Sequence, residues 1–146
     1  MELKLGSIPV RITGRFLFMA LILGINELDF AKLGIWVAVV LVSVVVHELG
    51  HALMGKAFGL QPAIELHGMG GHTTFSAPRT ASDPDRMKMG TGKSVAISLA
   101  GPFAGFFFAA LLFAAQVFGG LHPGHPLARH AISLLFAVNI GWGIFN

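Results

Sequence analysis

The chain carries a long uncharged segment that ends in three ionisable side chains. Residues 33–46 include no charged side chain, and the sequence His47-Glu48-Leu49-Gly50-His51 follows directly. Ionisable groups at membrane depth are costly unless they are paired, hydrated or bound to a metal. We therefore expect a membrane-embedded helix that carries a polar functional site near its end.

The spacing of these ionisable residues has the form HExxH. A helix turns about 100° per residue, so His47 and His51 project from one face, one turn apart, and can share a metal ion. Glu48 can reach a metal-bound water, as the general base of this motif does in metalloproteases. Histidines four apart also occur on helices without metal, but their position after an apolar run favours the metal site. We predict that His47 and His51 bind Zn²⁺ and that Glu48 is the catalytic base.

The composition indicates an integral membrane protein. Hydrophobic residues make up 54% of the chain, charged residues 12%, and the mean hydropathy is +0.74, which is unusual for a soluble domain. The chain has no cysteine, so thiolate zinc ligands and disulfides are excluded. The net charge of +3 does not indicate nucleic-acid binding, because most basic residues flank apolar segments. The lipid bilayer is the expected environment.

Four apolar segments are interpreted as transmembrane helices. The first is short and requires Arg11 and Arg15 to snorkel to the interface before it can span a hydrocarbon core of about 30 Å. The expected spans cover residues 10–25, residues 33–54, a third segment from Ser94 or Val95 to Phe118, and a fourth from His130 or Ala131 to Asn146.

The loop between the second and third spans is predicted to contain a β-hairpin. Residues 63–67 and 72–75 flank a glycine-rich stretch at 68–71, which favours a tight turn. A polar connector follows at 77–86, with Asp83 and Asp85 as turn residues. The expected fold class is an all-α polytopic membrane protein with about four transmembrane helices and a short β-hairpin between the second and third. Residues 1–146 are expected to form a single domain without a removable signal peptide.

Basic residues are distributed unevenly across these spans. Eight lysines and arginines fall on one side and two on the other, and cytoplasmic loops carry the excess of positive charge. We therefore expect the N-terminus and the 60–93 loop to be cytoplasmic. The compact chain suits a prokaryotic cell membrane. The eight are Lys4, Arg11, Arg15, Lys56, Arg79, Arg86, Lys88 and Lys93, and the two are Lys32 and Arg129.

Further polar residues provide alternative metal ligands. Glu65, His67 and His72 would complete the zinc site if the hairpin reached membrane depth while buried in protein. The favoured interpretation is that these three are polar residues of a cytoplasmic or interfacial hairpin. His122 and His125 belong to a tight external turn, where metal binding is the less favoured interpretation.

The third and fourth segments contain residues suited to helix packing. Gly101 and Gly105 form a small-xxx-small face that another helix can approach closely, and Pro102 predicts a kink. Asn139 is expected to face protein rather than lipid and to donate a hydrogen bond across helices.

The order of these motifs resembles the site-2 protease family of intramembrane zinc metalloproteases. The resemblance rests on the HExxH at residues 47–51, the glycine-rich hairpin after it, and Ser98-Leu99-Ala100-Gly101-Pro102 in the next helix. It implies that His47 and His51 bind zinc, that Glu48 activates water, and that the HExxH helix packs on the Gly101 face. The family's third ligand is an aspartate that follows an N-x-x-P segment. Asn146 resembles the first residue of that segment, so the resemblance implies a metalloprotease core that is incomplete at its C-terminus.

The resulting hypothesis is an intramembrane zinc metalloprotease that hydrolyses peptide bonds in or near transmembrane segments of protein substrates. The alternative is a catalytically incomplete membrane scaffold that binds zinc or a partner helix. A zinc transporter is a weaker alternative, because a glutamate at this spacing has no particular use there.

Overall fold

The computed structural model describes residues 1–27, 29–77, 90–120 and 123–145. The polar connector with Asp83 and Asp85 lies outside the described residues, apart from Ala77, as do His122 and Asn146. The elements are β1 (Glu2–Leu5), β2 (Ile8–Ile12), α1 (Gly14–Leu23), α2 (Phe30–Ala57), β3 (Gln61–His67), β4 (Gly70–Ser76), α3 (Thr91–Val117) and α4 (Pro126–Phe145).

Within the described ranges, three helices are long and apolar enough to cross a membrane. By length and composition, α2, α3 and α4 qualify, and the protein is accordingly an integral membrane protein. Helix α1 has only ten residues, about 15 Å at 1.5 Å per residue. The three long helices extend beyond the boundaries expected from the sequence at most of their ends.

The prediction that residues 10–25 form one span is wrong. Ile8, Val10 and Ile12 are buried on one face of β2, and the residues between them are exposed. This alternation is the period of a strand, and the neighbouring strand β3 provides the ladder for it. Thr13 then separates strand from helix, because its hydroxyl donates to Leu66 O at 2.8 Å and accepts from the Phe16 amide at 3.4 Å.

The strands form one sheet in the order β1-β2-β3-β4. Strands β1 and β2 pair antiparallel, β2 and β3 parallel, and β3 and β4 antiparallel. The β3–β4 pair lies between α2 and α3, but it belongs to a larger sheet, so the all-α expectation is wrong in this respect. The inner face of the sheet packs on α1 and α2 through Ile64 and Leu66, which are 2% and 0% exposed.

Small residues allow the long helices to pack closely. A Cβ added at Gly50 of α2 would lie 2.8 Å from Ala104 Cβ of α3. Asn139 of α4 donates to Ser43 Oγ of α2 at 2.9 Å, as expected for a residue that faces protein. Helix α3 contains Pro102 and is continuous from Thr91 to Val117, so the kink remains a prediction.

Two contacts indicate how the helix ends are arranged. The Lys93 ammonium lies 5.6 Å from the centre of the Phe58 ring, which brings the start of α3 beside the end of α2 and the sheet. His130 Nε2 lies 3.6 Å from Glu27 Oε1, which brings the start of α4 beside the end of α1. The sheet therefore lies near the end of α2 and the start of α3, and the loop after α1 lies near the start of α4.

Candidate metal centre

The three ionisable residues of the HExxH motif lie together on α2. One donor atom from each of His47, Glu48 and His51 lies within 4.8 Å of the others. His47 is 2% exposed and Glu48 is 4% exposed. Among the described residues, no other group of three or more histidines, cysteines or carboxylates is close enough to hold a metal ion. The structure thus brings the predicted site residues together.

Helix α3 orients the second histidine. His51 Nδ1 lies 2.6 Å from the carbonyl oxygen of Ile97, and a carbonyl can only accept, so Nδ1 carries the proton. His51 Nε2 is then directed at His47 Nε2, 3.1 Å away. Two nitrogens bound about 2.0–2.1 Å from a tetrahedral zinc would be about 3.3 Å apart. The separation of the two nitrogens therefore fits a shared zinc ion.

Gly101 has no side chain, which leaves space beside the imidazole rings of His47 and His51. A Cβ added there would lie 2.7 Å from His47 Nε2 and against the His51 ring. Gly101 is buried, and any larger residue would occupy the volume beside the two Nε2 atoms. The expected packing of the Gly101 face on the HExxH helix is thus present. Gly105, one turn later, faces Asn139 of α4 instead.

Strand β4 holds the carboxylate of Glu48. The Thr73 hydroxyl donates to Glu48 Oε2 at 2.6 Å, and a Cβ added at Gly71 would lie 2.6 Å from the carboxyl carbon. The carboxylate borders a pocket of about 300 Å³ that also reaches His51 and Ile97. A ligand in this pocket would meet the imidazole and the carboxylate together.

The alternative ligands of the hairpin do not join this group. Gly71 and Thr73 face α2, so His72 between them is directed to the other face of the sheet, opposite Glu65 in the β3–β4 ladder. His67 Nδ1 accepts from the Met69 amide at 3.2 Å, which stabilises the turn. His125 Nδ1 accepts from the Leu127 amide at 3.3 Å at the start of α4, while His122 lies outside the described residues.

Four residues at or beside the site were not predicted as site residues. Ser43 lies one helical turn before His47, and Ile97 contributes only its backbone carbonyl. For β4 the available signal was the alternation Gly71, Thr73 and Phe75, which leaves small, hydroxyl and aromatic residues on the face that packs on α2. The residues missed were Ser43, Gly71, Thr73 and Ile97.

Fold and site together define a mostly helical membrane protein with a His-Glu-His cluster, largely buried, against a small sheet. No protein-family model matches the chain, and no curated protein matches its sequence. The solved structure of the site-2 protease from Methanocaldococcus jannaschii is similar, with a TM-score of 0.66 and 23% sequence identity. The match covers 99% of this chain and 62% of the archaeal chain. The protein therefore has a site-2-protease-like fold, and it spans less than two thirds of the length of that relative.

Proposed function

We propose that the protein is an intramembrane zinc metalloprotease that hydrolyses peptide bonds in or near transmembrane segments of other membrane proteins. The observation that carries the proposal is the group of His47, Glu48 and His51, with the first two buried and the third half-buried, on a helix long enough to span the membrane. The site-2-protease-like fold supports the same function. Ionisable side chains are costly inside a membrane, so apolar residues at positions 47, 48 and 51 would have a lower free-energy cost if the positions served packing alone.

The three residues have distinct roles in this proposal. His47 and His51 would hold zinc through their Nε2 atoms, and a bound zinc would supply Lewis-acid activation of a water and of the scissile carbonyl. Glu48 would act as the base that takes a proton from the attacking water and passes it to the leaving amine. The Ile97 carbonyl keeps the His51 ring in the tautomer whose Nε2 is unprotonated.

A catalytic zinc usually has three protein ligands and one open position. The described residues contribute two histidines to the group, so we propose that the third ligand comes from outside them. The resemblance predicts an aspartate that follows an N-x-x-P segment beginning at Asn146. Residues 1–146 would then form the part of a single membrane-embedded domain that carries the base and two ligands.

We propose that the substrate binds as an extended strand along β4. An intact helix hides its carbonyls, so the scissile region must unwind before hydrolysis. Strand β4 is at the edge of the sheet, and such an edge can pair with an extended peptide. Its inner face borders the pocket beside Glu48 and His51, so a peptide paired with β4 would pass close to the base.

We propose that the sheet end of the protein is cytoplasmic and that the membrane is a prokaryotic cell membrane. The helix ends at the sheet carry exposed cations in the first turn of α1, the last turn of α2 and the first turn of α3. This agrees with the positive-inside rule. The three cations are Arg15, Lys56 and Lys93.

Cleavage of a transmembrane substrate in proteoliposomes by the purified, zinc-loaded protein, including the segment that supplies the proposed third ligand, tests the function. Glu48→Gln should abolish cleavage while the zinc content stays unchanged, because the carboxylate is the base and not a ligand. Glu65→Gln is the matched control, since Glu65 is exposed on the other face of the sheet, and it should leave cleavage intact. Cleavage that survives Glu48→Gln would overturn the hydrolase proposal.

The alternative of a catalytically incomplete scaffold predicts a different result in the same experiment. A scaffold would bind zinc through His47 and His51 but would show no cleavage in either the original protein or the Glu65→Gln variant. His47→Ala, compared with His67→Ala, tests the zinc ligands under both proposals. Zinc should be lost in the first variant and kept in the second, because His67 lies in the hairpin turn.

A further inference from the structure

The inner face of β4 contacts α2 at three successive positions. Gly71 lies against the Glu48 side chain, and Thr73 donates a hydrogen bond to the same side chain. Phe75 packs over Gly55, where an added Cβ would lie 2.7 Å from Cδ1 of the ring. Residues two apart on a strand are about 6.6–6.8 Å apart, so the contacts span about two turns of α2. Strand and helix thus fix each other's register beside the candidate base.

We propose that Thr73 is a positioning residue that holds the Glu48 carboxylate in the orientation required for proton transfer. The inference rests on the proposed function. The Thr73 hydroxyl lies 2.6 Å from Glu48 Oε2 and 3.3 Å from the Glu48 carbonyl oxygen. A hydroxyl has one proton, and the shorter contact is the stronger bond. Oε2 is therefore the acceptor, and Oε1 is left to take the proton.

The hydrogen bond persists when the carboxylate becomes protonated. An ionised carboxylate only accepts, so Thr73 must donate to it. If the transferred proton resides on Oε1, Oε2 remains an acceptor and Thr73 need not rotate. A base that keeps one anchored oxygen through both states needs no rearrangement during the reaction, which is the advantage of a fixed catalytic geometry.

Gly71 supplies the space that this orientation requires. Its Cα faces the Glu48 carboxyl group so closely that an added Cβ would lie 2.5 Å from Oε1. Gly71 does not have a positive φ, so its role is spatial rather than conformational. Thr73 donates a hydrogen bond to one carboxylate oxygen of Glu48, and the absence of a side chain at Gly71 leaves room for the other. Both residues belong to β4, the strand along which the substrate is proposed to bind.

A purely structural role for Thr73 predicts a different outcome from a positioning role. Valine has nearly the same shape and a comparable preference for strands, so packing alone would be preserved in Thr73→Val. Thr74 provides a matched control, because it is exposed and its hydroxyl donates to Ala63 O at 3.2 Å, away from the site.

The kinetic test uses the zinc-loaded protein and a transmembrane peptide substrate. General-base catalysis contributes about 10²–10⁴-fold, so a misplaced base should lower kcat of Thr73→Val by about 10–100-fold. KM and zinc content should stay unchanged. Thr73→Ser should restore kcat to within about threefold, and Thr91→Val, at the exposed start of α3 and away from β4, should match the original protein. An unchanged kcat in Thr73→Val would overturn the inference.

A second variant pair isolates the path through Glu48. In a Glu48→Gln background, Thr73→Val should cause no further loss of residual activity, because the group that Thr73 positions has already been removed. An equal loss in both backgrounds would show that Thr73 acts elsewhere and would overturn the positioning role.

Infrared spectroscopy of the metal-free protein provides a readout that does not depend on cleavage. Glu48 carboxylate bands, identified as those lost in Glu48→Gln, should shift in Thr73→Val and not in Thr74→Val. Bands that stay in place would overturn the hydrogen bond. If the bands shift but the original protein cleaves no substrate, the proposed function and the catalytic part of this inference fail while the hydrogen bond stands.

Discussion

The carbonyl oxygen of Ile97 on α3 accepts a hydrogen bond from Nδ1 of His51 on α2 over 2.6 Å. Histidines that bind zinc commonly donate the other ring N–H to a carbonyl or carboxylate, which fixes the tautomer and the ring orientation. Here that partner belongs to the neighbouring helix. The geometry of the site therefore depends on how α3 packs on α2, and the contact does not require a metal.

Metal removal should leave the fold intact while abolishing activity. The hydrogen bonds of His51 with Ile97 and of Glu48 with Thr73 are formed within the protein. We therefore expect circular dichroism of the chelator-treated protein to retain its helical signal. A bound ion stabilises the folded state by RT ln(1 + [Zn]/Kd), about 2.7 kcal/mol at a hundredfold excess over Kd.

The thermal transition should accordingly rise with added zinc and should not respond to zinc in His47→Ala. His72→Ala is the matched control and should keep the response, since His72 lies on the exposed face of β4. A chelated protein without helical structure would show that the fold depends on the metal and would contradict this prediction.

Gly101→Ala should weaken zinc binding without unfolding the protein. The added Cβ would lie 2.7 Å from His47 Nε2, and overpacking of this kind costs about 1–3 kcal/mol. Since 1.4 kcal/mol corresponds to a factor of ten, zinc affinity should fall about tenfold or more. Competition with a chromophoric chelator measures it.

Gly92→Ala is the control on the same helix, because no atom lies within 4 Å of a Cβ added there. Its zinc affinity should equal that of the original protein. Equal affinity in Gly101→Ala would mean that the two imidazoles do not converge on the space in front of Gly101.

Local periodicity was sufficient to predict that the three candidate site residues on α2 lie together, and it was insufficient to predict the first segment. His47, Glu48 and His51 lie within five residues of one helix, so helical spacing alone brings them together. Strand β2 lies directly before the apolar helix α1, so the sequence of both elements together resembles one transmembrane segment. The pairing of β2 with β1, and with β3 more than fifty residues later, distinguishes the strand.

The partners of the site residues could not be predicted because they depend on tertiary register. Thr73 reaches Glu48 only because β4 pairs with β3 in a register that directs alternate residues toward α2. Ile97 contributes a backbone carbonyl, which has no signature in the side-chain sequence. The sequence could predict that Asn139 interacts with protein, since a lone amide in an apolar helix requires a partner. It could not predict that the partner is Ser43.

The hydrogen bond between Asn139 and Ser43 should make a modest contribution to stability. Asn139 Nδ2 donates to Ser43 Oγ at 2.9 Å and to Leu135 O at 2.8 Å, so the amide keeps one partner when Ser43 is removed. Hydrogen bonds between membrane helices average about 0.6 kcal/mol, with a maximum of about 1.7 kcal/mol. A double-mutant cycle of Ser43→Ala and Asn139→Ala should give an interaction energy in this range.

Unfolding in mixed micelles provides the free energies for the cycle. Ser94→Ala combined with Asn139→Ala is a suitable control pair, because Ser94 is exposed at the start of α3 and should show no interaction energy with Asn139. A zero interaction energy between Ser43 and Asn139 would indicate that the bond adds nothing to the packing of α2 on α4.

Backbone methylation of the substrate should reveal strand pairing with β4. A peptide that adds to a sheet edge pairs through the amides of alternate residues, so N-methylation should raise KM at every second position near the scissile bond. Losing one hydrogen bond of about 0.5–1.5 kcal/mol corresponds to an increase of about two- to twelvefold. Methylation at the intervening positions should have little effect, because those amides point away from β4. A peptide scan of cleavage by the purified protein measures the pattern, and an effect of equal size at all positions would contradict a strand bound along β4.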